Sequence, residues 1–326
     1  MKNVAIIGCG AIASTHVHGI LFNNKSIVGL CDIVKENAIR LNNDFNLNAS
    51  VYTDYVTMMN ELDIDVVHIC TPHFLHKDMV LEALKRNINV LCEKPLCISL
   101  DEIDEIKNQL DVTNAQLGVC YQNRYNETTI KAKVICENYK FTSGSAYLKW
   151  KRDKDYYLNS LWRGKWNTEG GSLLINQSIH TIDLLCYLLG NPVELIANCE
   201  NFMHKEIIET EDTATINFYG DGFTFDFYGT TNADKDYPNI IELYSGNNKL
   251  IITPNSIKFN DESNVHNMEK MTFVKSVWGD GHKKLFKDFY ECIEESRTFS
   301  IGLDEAIISL KAVLSAYGSK GKRVKI

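Results

Sequence analysis

Lys94 and His180 are the residues whose types and settings most directly suggest chemistry. Lys94 stands in Glu93-Lys94-Pro95, directly after the apolar run Asn89-Val90-Leu91-Cys92, so a strand delivers it to a sheet edge and into a cleft. A lysine against an apolar wall has its charged form disfavoured by desolvation, which brings its pKa into a range useful for proton transfer. His180 belongs to a set with Asn176 and Asp183, at spacings of four and three. On a helix over residues 172–189 these three share one face, while Leu174, Ile175, Ile179, Ile182, Leu185 and Leu189 supply a broad apolar surface elsewhere. The polar groups therefore form a stripe on a mostly buried helix. A lone helical histidine is more often a satisfied core residue than a catalyst, and Asp183 more often its orienting partner or a structural cap than a reactant, but three polar groups aligned toward a cleft that holds Lys94 shift the balance to function. Metal binding is the rival reading, but one histidine with one carboxylate at hand makes a poor ligand set.

The elements that must position these residues begin with Val4-Ala5-Ile6-Ile7-Gly8-Cys9-Gly10-Ala11-Ile12-Ala13. An apolar run of strand length breaks at Gly8, and helix-forming residues follow from Ala11. Gly8 suits a sharp turn, Gly10 has no side chain to block a pyrophosphate, and Ala13 is small enough to pack a helix on the strand. Free amides and the positive end of a helix dipole then face the anion. The spacing alone also fits an ordinary glycine-bearing turn. Asp32 adds the deciding feature: it closes the second strand, Ile27 to Cys31, where a carboxylate can hydrogen-bond an adenosine ribose. The two together predict a dinucleotide site.

Strands continue to alternate with helices up to about residue 121, which predicts a doubly wound parallel sheet. Asp65 to Cys70 is a continuous apolar strand that ends at Thr71-Pro72, with His73 and His76 following at the ligand edge. Ser99-Leu100-Asp101-Glu102 reads as a capping box that opens a helix to about Leu110. At the same edge Glu93 either bonds a cofactor ribose or pairs with Lys94, and Pro95 is a candidate for a cis bond. Beyond Arg124 the pattern changes. A helix over 126–137, a strand over 144–150 and an irregular aromatic segment over 156–166 lead to Gly170-Gly171 and the helix of His180. Partly alternating runs then recur from Val193 to Phe259, with turns at Gly220-Asp221-Gly222 and Gly246-Asn247-Asn248. Two helices, over 282–295 and 303–317, close an α+β domain built on a mainly antiparallel sheet. The expected domains are 1–121, dinucleotide-binding, and 122–326, for substrate binding and oligomerisation. Arg124 and Trp162-Arg163 are further candidates, the arginines clamping a phosphate or substrate hydroxyl and the tryptophan covering a nicotinamide or sugar face; an ion pair and a packing contact fit these residues nearly as well.

Bulk properties exclude other classes. The 326 residues carry a net charge of −8 with scattered basic side chains, so nucleic acid is not an expected partner. No apolar run approaches a membrane span and the chain starts directly in a strand, so a cytoplasmic location is expected. The ten cysteines lie in apolar runs without the close pairing of a zinc site, and read as reduced, buried thiols.

Gly8-x-Gly10-x-x-Ala13, Asp32, Thr71-Pro72-x-x-x-His76, Glu93-Lys94-Pro95, Trp162-Arg163-Gly164, Gly170-Gly171 and Asn176-x-x-x-His180-x-x-Asp183, in that order, make the chain resemble the Gfo/Idh/MocA oxidoreductases over nearly its whole length. The resemblance implies a Rossmann domain with a second α/β domain, a bound NAD (NADP less well), and hydride transfer at a ring hydroxyl of a sugar, sugar derivative or cyclitol. It further implies assembly as a homodimer or homotetramer, with Lys94 and His180 as catalytic residues and Asn176, Asp183 and Arg124 at the substrate. Gly8, Gly10, Ala11, Ile12, Ala13, Asp32, Thr71, Pro72, His76, Glu93, Lys94, Trp162 and Arg163 would line the cofactor, with no metal. Asn176 departs from the aspartate of the inositol dehydrogenases: an amide orients a hydroxyl but cannot share a proton, which speaks against inositol. Ser172 replaces the usual third glycine, and His73 a common asparagine. The alternatives are an NAD-cycling glycosidase or lyase that passes through a transient keto-sugar, and a non-catalytic NAD-binding regulator, against which the presence of both Lys94 and His180 argues.

Overall fold

The computed structural model describes residues 3–265 and 280–326. The chain forms two compact units, one running through Gln122 and including His282–Ala306, the other comprising Asn123–Gly281 and Ile307–Ile326.

The first unit alternates as its hydrophobic pattern requires: β1 (Asn3–Ile7), α1 (Ala13–Phe22), β2 (Ser26–Cys31), α2 (Lys35–Asp44), β3 (Ser50–Tyr52) and α3 (Tyr55–Glu61). β4 (Val66–Ile69), α4 (His76–Lys85), β5 (Asn89–Cys92), α5 (Leu100–Leu110) and β6 (Leu117–Val119) follow. All six strands pair in parallel, in the order β3-β2-β1-β4-β5-β6. Val4, Ala5, Ile6, Val66, Val67 and Ile69 are fully buried, as strands covered on both faces must be. The strand order reverses between β1 and β4, which makes their carboxyl ends the crevice where doubly wound sheets bind ligands. The capping box is present, the Glu102 carboxylate accepting from the Ile98 and Ser99 amides at 2.8 and 3.2 Å.

The second unit contains α6 (Glu127–Asn138), β7 (Ser143–Lys149), α7 (Lys154–Leu158) and a π-helical segment, Leu173–Ser178, that runs into α8 (Ile179–Leu189). Then come β8 (Glu194–Glu200), β9 (Thr213–Gly220), β10 (Phe223–Thr230), β11 (Ile240–Ser245), β12 (Asn248–Ile252), β13 (Ser256–Phe259) and β14 (Glu262–Val265). With β15 (Arg323–Lys325) they form a sheet ordered β14-β13-β12-β11-β7-β10-β9-β8-β15. Both glycine turns close hairpins, Gly220 opposite Phe223 and Ser245 opposite Asn248. One pair is parallel, β7 with β10, so the sheet is antiparallel everywhere except there. Three elements are not anticipated in the sequence. α7, capped by Asp153 accepting from the Tyr156 amide, occupies part of the aromatic segment expected to be irregular. β14 is polar and exposed along its length and β15 is three residues long, so neither shows a hydrophobic alternation.

The segment His282–Ala306 lies in the first unit, whereas chain order alone assigns it to a second domain of 122–326. Its helix α9 (His282–Glu294) fully buries Leu285, Phe286 and Phe289. Gly19 of α1 admits the Phe286 ring, since a Cβ there would stand 2.5 Å from it, and Gly118 of β6 admits Phe289 in the same way at 2.9 Å. After α9 the final helix, α10 (Leu303–Ser319), leads to β15. Phe289→Ala is expected to lower unfolding stability by about 3–5 kcal/mol, because it opens a cavity at a site backed by β6. Urea denaturation monitored by circular dichroism checks this, and a loss below about 1 kcal/mol would show that α9 does not fasten to the sheet as described.

Candidate functional site

The turn after β1 is built for an anion. Gly8 has φ of +89°, and a Cβ there would lie 2.7 Å from the Cys70 carbonyl at the end of β4, so only glycine allows β1 and β4 to end side by side. Gly10 and Ala11 are exposed, Ile12 is half-buried, and a Cβ on Gly10 would meet nothing within 4 Å. Ala13 is fully buried where α1 begins. This open, side-chain-free space at a helix N-terminus fits a pyrophosphate. Asp32 is fixed beside it: one carboxylate oxygen accepts from the Cys9 amide at 2.8 Å, the other from the Val34 amide at 2.8 Å and from Asn37 Nδ2 at 3.3 Å. Ile33 and Val34, next in sequence, are 87% and 47% exposed, an apolar surface next to the acid.

At the ends of β4 and β5, Thr71 and Pro72 are half-buried, and the Lys94–Pro95 bond is cis. His76 stitches these strand ends together, Nδ1 lying 2.7 Å from the Pro95 carbonyl oxygen and Nε2 2.8 Å from that of Thr71. Burial holds its pKa below the usual imidazole value. His76 therefore has a structural task at the edge where a cofactor contact is expected. Glu93 is buried and pairs with the Lys94 main chain, its Oε2 accepting from the Lys94 amide at 3.3 Å, while Oε1 lies 3.0 Å from His16 Nε2. Burial alone would raise the Glu93 pKa, but the His16 hydrogen bond and the neighbouring Lys94 hold it below the ordinary carboxyl range. His16, Glu93 and Cys120 bring metal-capable atoms within 4.8 Å of one another. Burial raises the Cys120 thiol well above its usual pKa, so it stays protonated, and the other two atoms already bond each other. The ten cysteines stand outside any disulfide, and only Cys136 and Cys199 are less than buried.

In the second unit Asp183 is claimed by Arg124. The guanidinium forks onto the carboxylate, Nε to Oδ2 and Nη2 to Oδ1 both at 2.8 Å, with Ser309 Oγ donating to Oδ1 at 3.4 Å. Of the alternatives for Arg124 the ion pair is the one observed, and it is buried. His180 is 8% exposed at the start of α8. Asn176 lies in the π-helical segment, not in the α-helix expected over 172–189, so α-helical spacing relates His180 to Asp183 but not Asn176 to either. Its Nδ2 donates to Glu169 Oε1 at 2.6 Å, and Glu169 Oε2 accepts from the Gly164 amide at 2.5 Å. Arg163 stacks on Tyr156, 4.1 Å from the ring centroid, and donates to the Tyr156 carbonyl at 3.3 Å; Trp162 accepts from Thr168 Oγ1 at 2.7 Å through its carbonyl.

Residues 2–121 match the profile described as "Oxidoreductase family, NAD-binding Rossmann fold", and residues 140–250 that of the "GFO/IDH/MocA C-terminal domain". The chain belongs to the GFO/IDH/MocA family. It is 29% identical over 192 residues to glucose-6-phosphate 3-dehydrogenase of Bacillus subtilis, a match covering 58% of this chain but only 54% of that relative. With myo-inositol 2-dehydrogenase of Thermotoga maritima it shares 19% identity over 97% of this chain and 95% of the relative. The fold is that of the WlbA dehydrogenase from Bordetella pertussis, solved with NADH and UDP-GlcNAcA: TM-score 0.86 at 22% identity, covering 100% and 99% of the two chains.

The family motifs led to the glycine turn, Asp32, Lys94, Asn176 and His180, but not to the buried acids that hold the segment before His180. Glu169 and Glu211 are missed, and only Gly170-Gly171 signals that a crowded turn lies there: a Cβ on Gly171 would clash with the Tyr317 hydroxyl. Glu211 Oε1 accepts from Tyr317 Oη at 2.9 Å and from the Leu174 and Ser172 amides at 2.8 and 3.3 Å. Burial pushes both carboxyls up to about 7. Because the folded pKa of Glu211 stands above the ordinary 4.5, folding takes up a proton between those values; its contribution to stability falls as pH rises from about 4.5 to about 7 and is level above. Glu211→Gln is expected to remove part of this slope. Urea midpoints of wild type and variant, compared at about pH 5 and about pH 8, test it; parallel slopes would show that Glu211 does not titrate there.

Proposed function

We propose that this chain is an NAD-dependent oxidoreductase that moves a hydride between nicotinamide and a ring hydroxyl or ketone of a sugar, sugar derivative or cyclitol. The observation that carries the reading is the open glycine turn beside a fixed Asp32, in a chain that keeps both Lys94 and His180. The relatives support the substrate class, two being named for a sugar phosphate and a cyclitol and the solved neighbour holding a nucleotide sugar with NADH. In this reading the first unit is the dinucleotide-binding domain and the second serves substrate binding and oligomerisation.

Bound NAD would supply the hydride acceptor. Gly8, Gly10, Ala11, Ile12 and Ala13 would take its pyrophosphate and Asp32 its ribose, with Thr71, Pro72, His76, Glu93, Lys94, Trp162 and Arg163 lining the remainder. Asp32 accepts a ribose diol but repels a 2′-phosphate, which favours NAD over NADP, with the exposed Lys35 at the start of α2 offsetting part of that repulsion. His180 accepts the proton of the reacting hydroxyl as its carbon is oxidised, and Lys94 hydrogen-bonds the same oxygen and stabilises its developing negative charge. Asn176, oriented by Glu169, binds a neighbouring hydroxyl. Asp183 serves with Arg124 as a fixed ion pair that braces α8.

Loss of an acid–base group costs ~10²–10⁴ in rate, so Lys94→Ala and His180→Ala are each expected to lower kcat by that order while NAD binding persists. Steady-state NADH formation on a panel of sugars, sugar phosphates, nucleotide sugars and cyclitols is the measurement. Full turnover by His180→Ala would remove the histidine from this role, and product cleavage without net NADH would replace the dehydrogenase with a cycling enzyme.

The second sheet buries one face, Ala146, Leu148, Ile216, Phe218, Phe225 and Phe227 all pointing inward, and leaves Tyr147, Thr215, Asn217 and Asp226 on the other. That outer face is the surface for a homodimer or homotetramer. Light scattering at micromolar concentration is expected to give a mass of two or four chains, and a clean monomer would remove the interface.

A further inference from the structure

Beneath the Glu-Lys-Pro edge the first unit buries a chain of polar side chains that the reaction scheme leaves unused. Tyr290 Oη of α9 lies 2.8 Å from His68 Nε2 of β4, and His68 Nδ1 lies 2.8 Å from His16 Nδ1 of α1. His16 Nε2 lies 3.0 Å from Glu93 Oε1, and Glu93 Oε2 accepts the Lys94 amide. His16 and His68 are wholly buried, and Tyr290 is 1% exposed. We propose that Tyr290, His68 and His16 form a one-directional hydrogen-bond relay that clamps Glu93 and, through it, positions Lys94 for the reaction. The relay rests on the assignment of Lys94 made above.

The direction follows from counting protons. A carboxylate offers only acceptors, so His16 must present Nε2–H to Glu93, and a neutral His16 then has a lone pair on Nδ1. The facing nitrogen of His68 must therefore carry a proton, which leaves His68 Nε2 as the acceptor for the Tyr290 hydroxyl. This one set of tautomers satisfies every contact with no charge other than that of Glu93. Burial agrees with it, holding the His68 imidazole well below its usual pKa and the Tyr290 phenol well above. The groups facing Glu93 are His16, His68, His76, His282, Lys94 and the thiols of Cys70, Cys92 and Cys120. Burial brings His282 down to about 4 and raises the three thiols, so these four are neutral near pH 7, and the carboxylate is answered by the His16 N–H and by Lys94. A buried carboxylate stripped of its donor loses that geometry or its charge.

The test compares wild type with His16→Leu, His16→Gln, Glu93→Gln, Tyr290→Phe and Lys94→Ala. It measures kcat, the pH profile of kcat/KM, and NADH affinity by protein fluorescence in the binary complex. His16→Leu is expected to lower kcat by ~10–100-fold while the NADH Kd stays within about threefold, as misplacement of a catalytic group does. His16→Gln, whose amide N–H can still donate to Glu93, is expected to recover most of the loss. Tyr290→Phe is expected to lower kcat in the same direction by a few-fold, and it keeps the test decisive if His16→Leu does not fold. Glu93→Gln is expected to move the upper limb of the pH profile to lower pH, because removing a nearby anion lowers the pKa of Lys94. Wild-type kcat in both Tyr290→Phe and the folded His16 variants overturns the relay, as does a loss confined to NADH affinity, which would make Glu93 a cofactor ligand. If Lys94→Ala keeps full activity, the assignment of Lys94 itself fails; if Lys94→Ala is inactive and the relay variants are not, the relay alone fails.

Discussion

The contact on which the first unit depends is the approach of Gly8 to the Cys70 carbonyl at the ends of β1 and β4. These strands adjoin where the sheet order reverses, so the connections that leave their carboxyl ends diverge to form a crevice while the strands stay hydrogen-bonded to their ends. A side chain at Gly8 would enter the end of β4. With glycine there, the chain leaves β1, turns with the Gly8 amide donating to the Cys31 carbonyl and the Cys9 amide to Asp32, and starts α1 one short loop later. The open, side-chain-free space at Gly10 is the geometric remainder of that packing.

Behind the crevice, burial turns ordinary groups into ones with assigned states. Cys70, Cys92 and Cys120 are held as thiols, His68 as neutral imidazole and Glu93 as carboxylate, each by the balance of desolvation against its partners. Buried polar groups are costly unless fully bonded, and a connected network leaves them a narrow choice of protonation. The result is a rigid floor under Lys94. His76 spans the carbonyls of Thr71 and Pro95 and, as a neutral imidazole, donates its single N–H to one of them, linking the neighbouring strand ends.

In the second unit the corresponding device is an acid network around two adjacent glycines. Glu169 secures the Gly164 amide and Asn176, and Glu211 secures the first turn of the π-helical segment together with Tyr317. π-Helical segments are rare and expose backbone that an α-helix would satisfy, and here Glu211 supplies acceptors for the amides at its start. Arg124 and Asp183 fix α8 from another side with a bidentate pair worth more for its geometry than for net stability.

The sequence by itself determined most of the element types and the parallel sheet, because periodicity, glycine placement and strand-ending prolines act over a few residues. Gly8, Gly10, Asp32 and Lys94 were legible for the same reason: each sits at a fixed step from a strand end. The His16–His68–Tyr290 chain was not, because its members lie on α1, β4 and α9, and the last of these is more than two hundred residues away in sequence. Arg124 was named as a candidate, yet its pairing with Asp183 required two segments to meet. The π-helical register at Asn176 follows from Glu211 and Tyr317 engaging its turn, a long-range interaction that no spacing within 172–189 reveals. The transfer of α9 to the first unit has the same cause, since an apolar helix face is specific in kind but not in partner, and only the space beside Gly19 and Gly118 decided where it was buried.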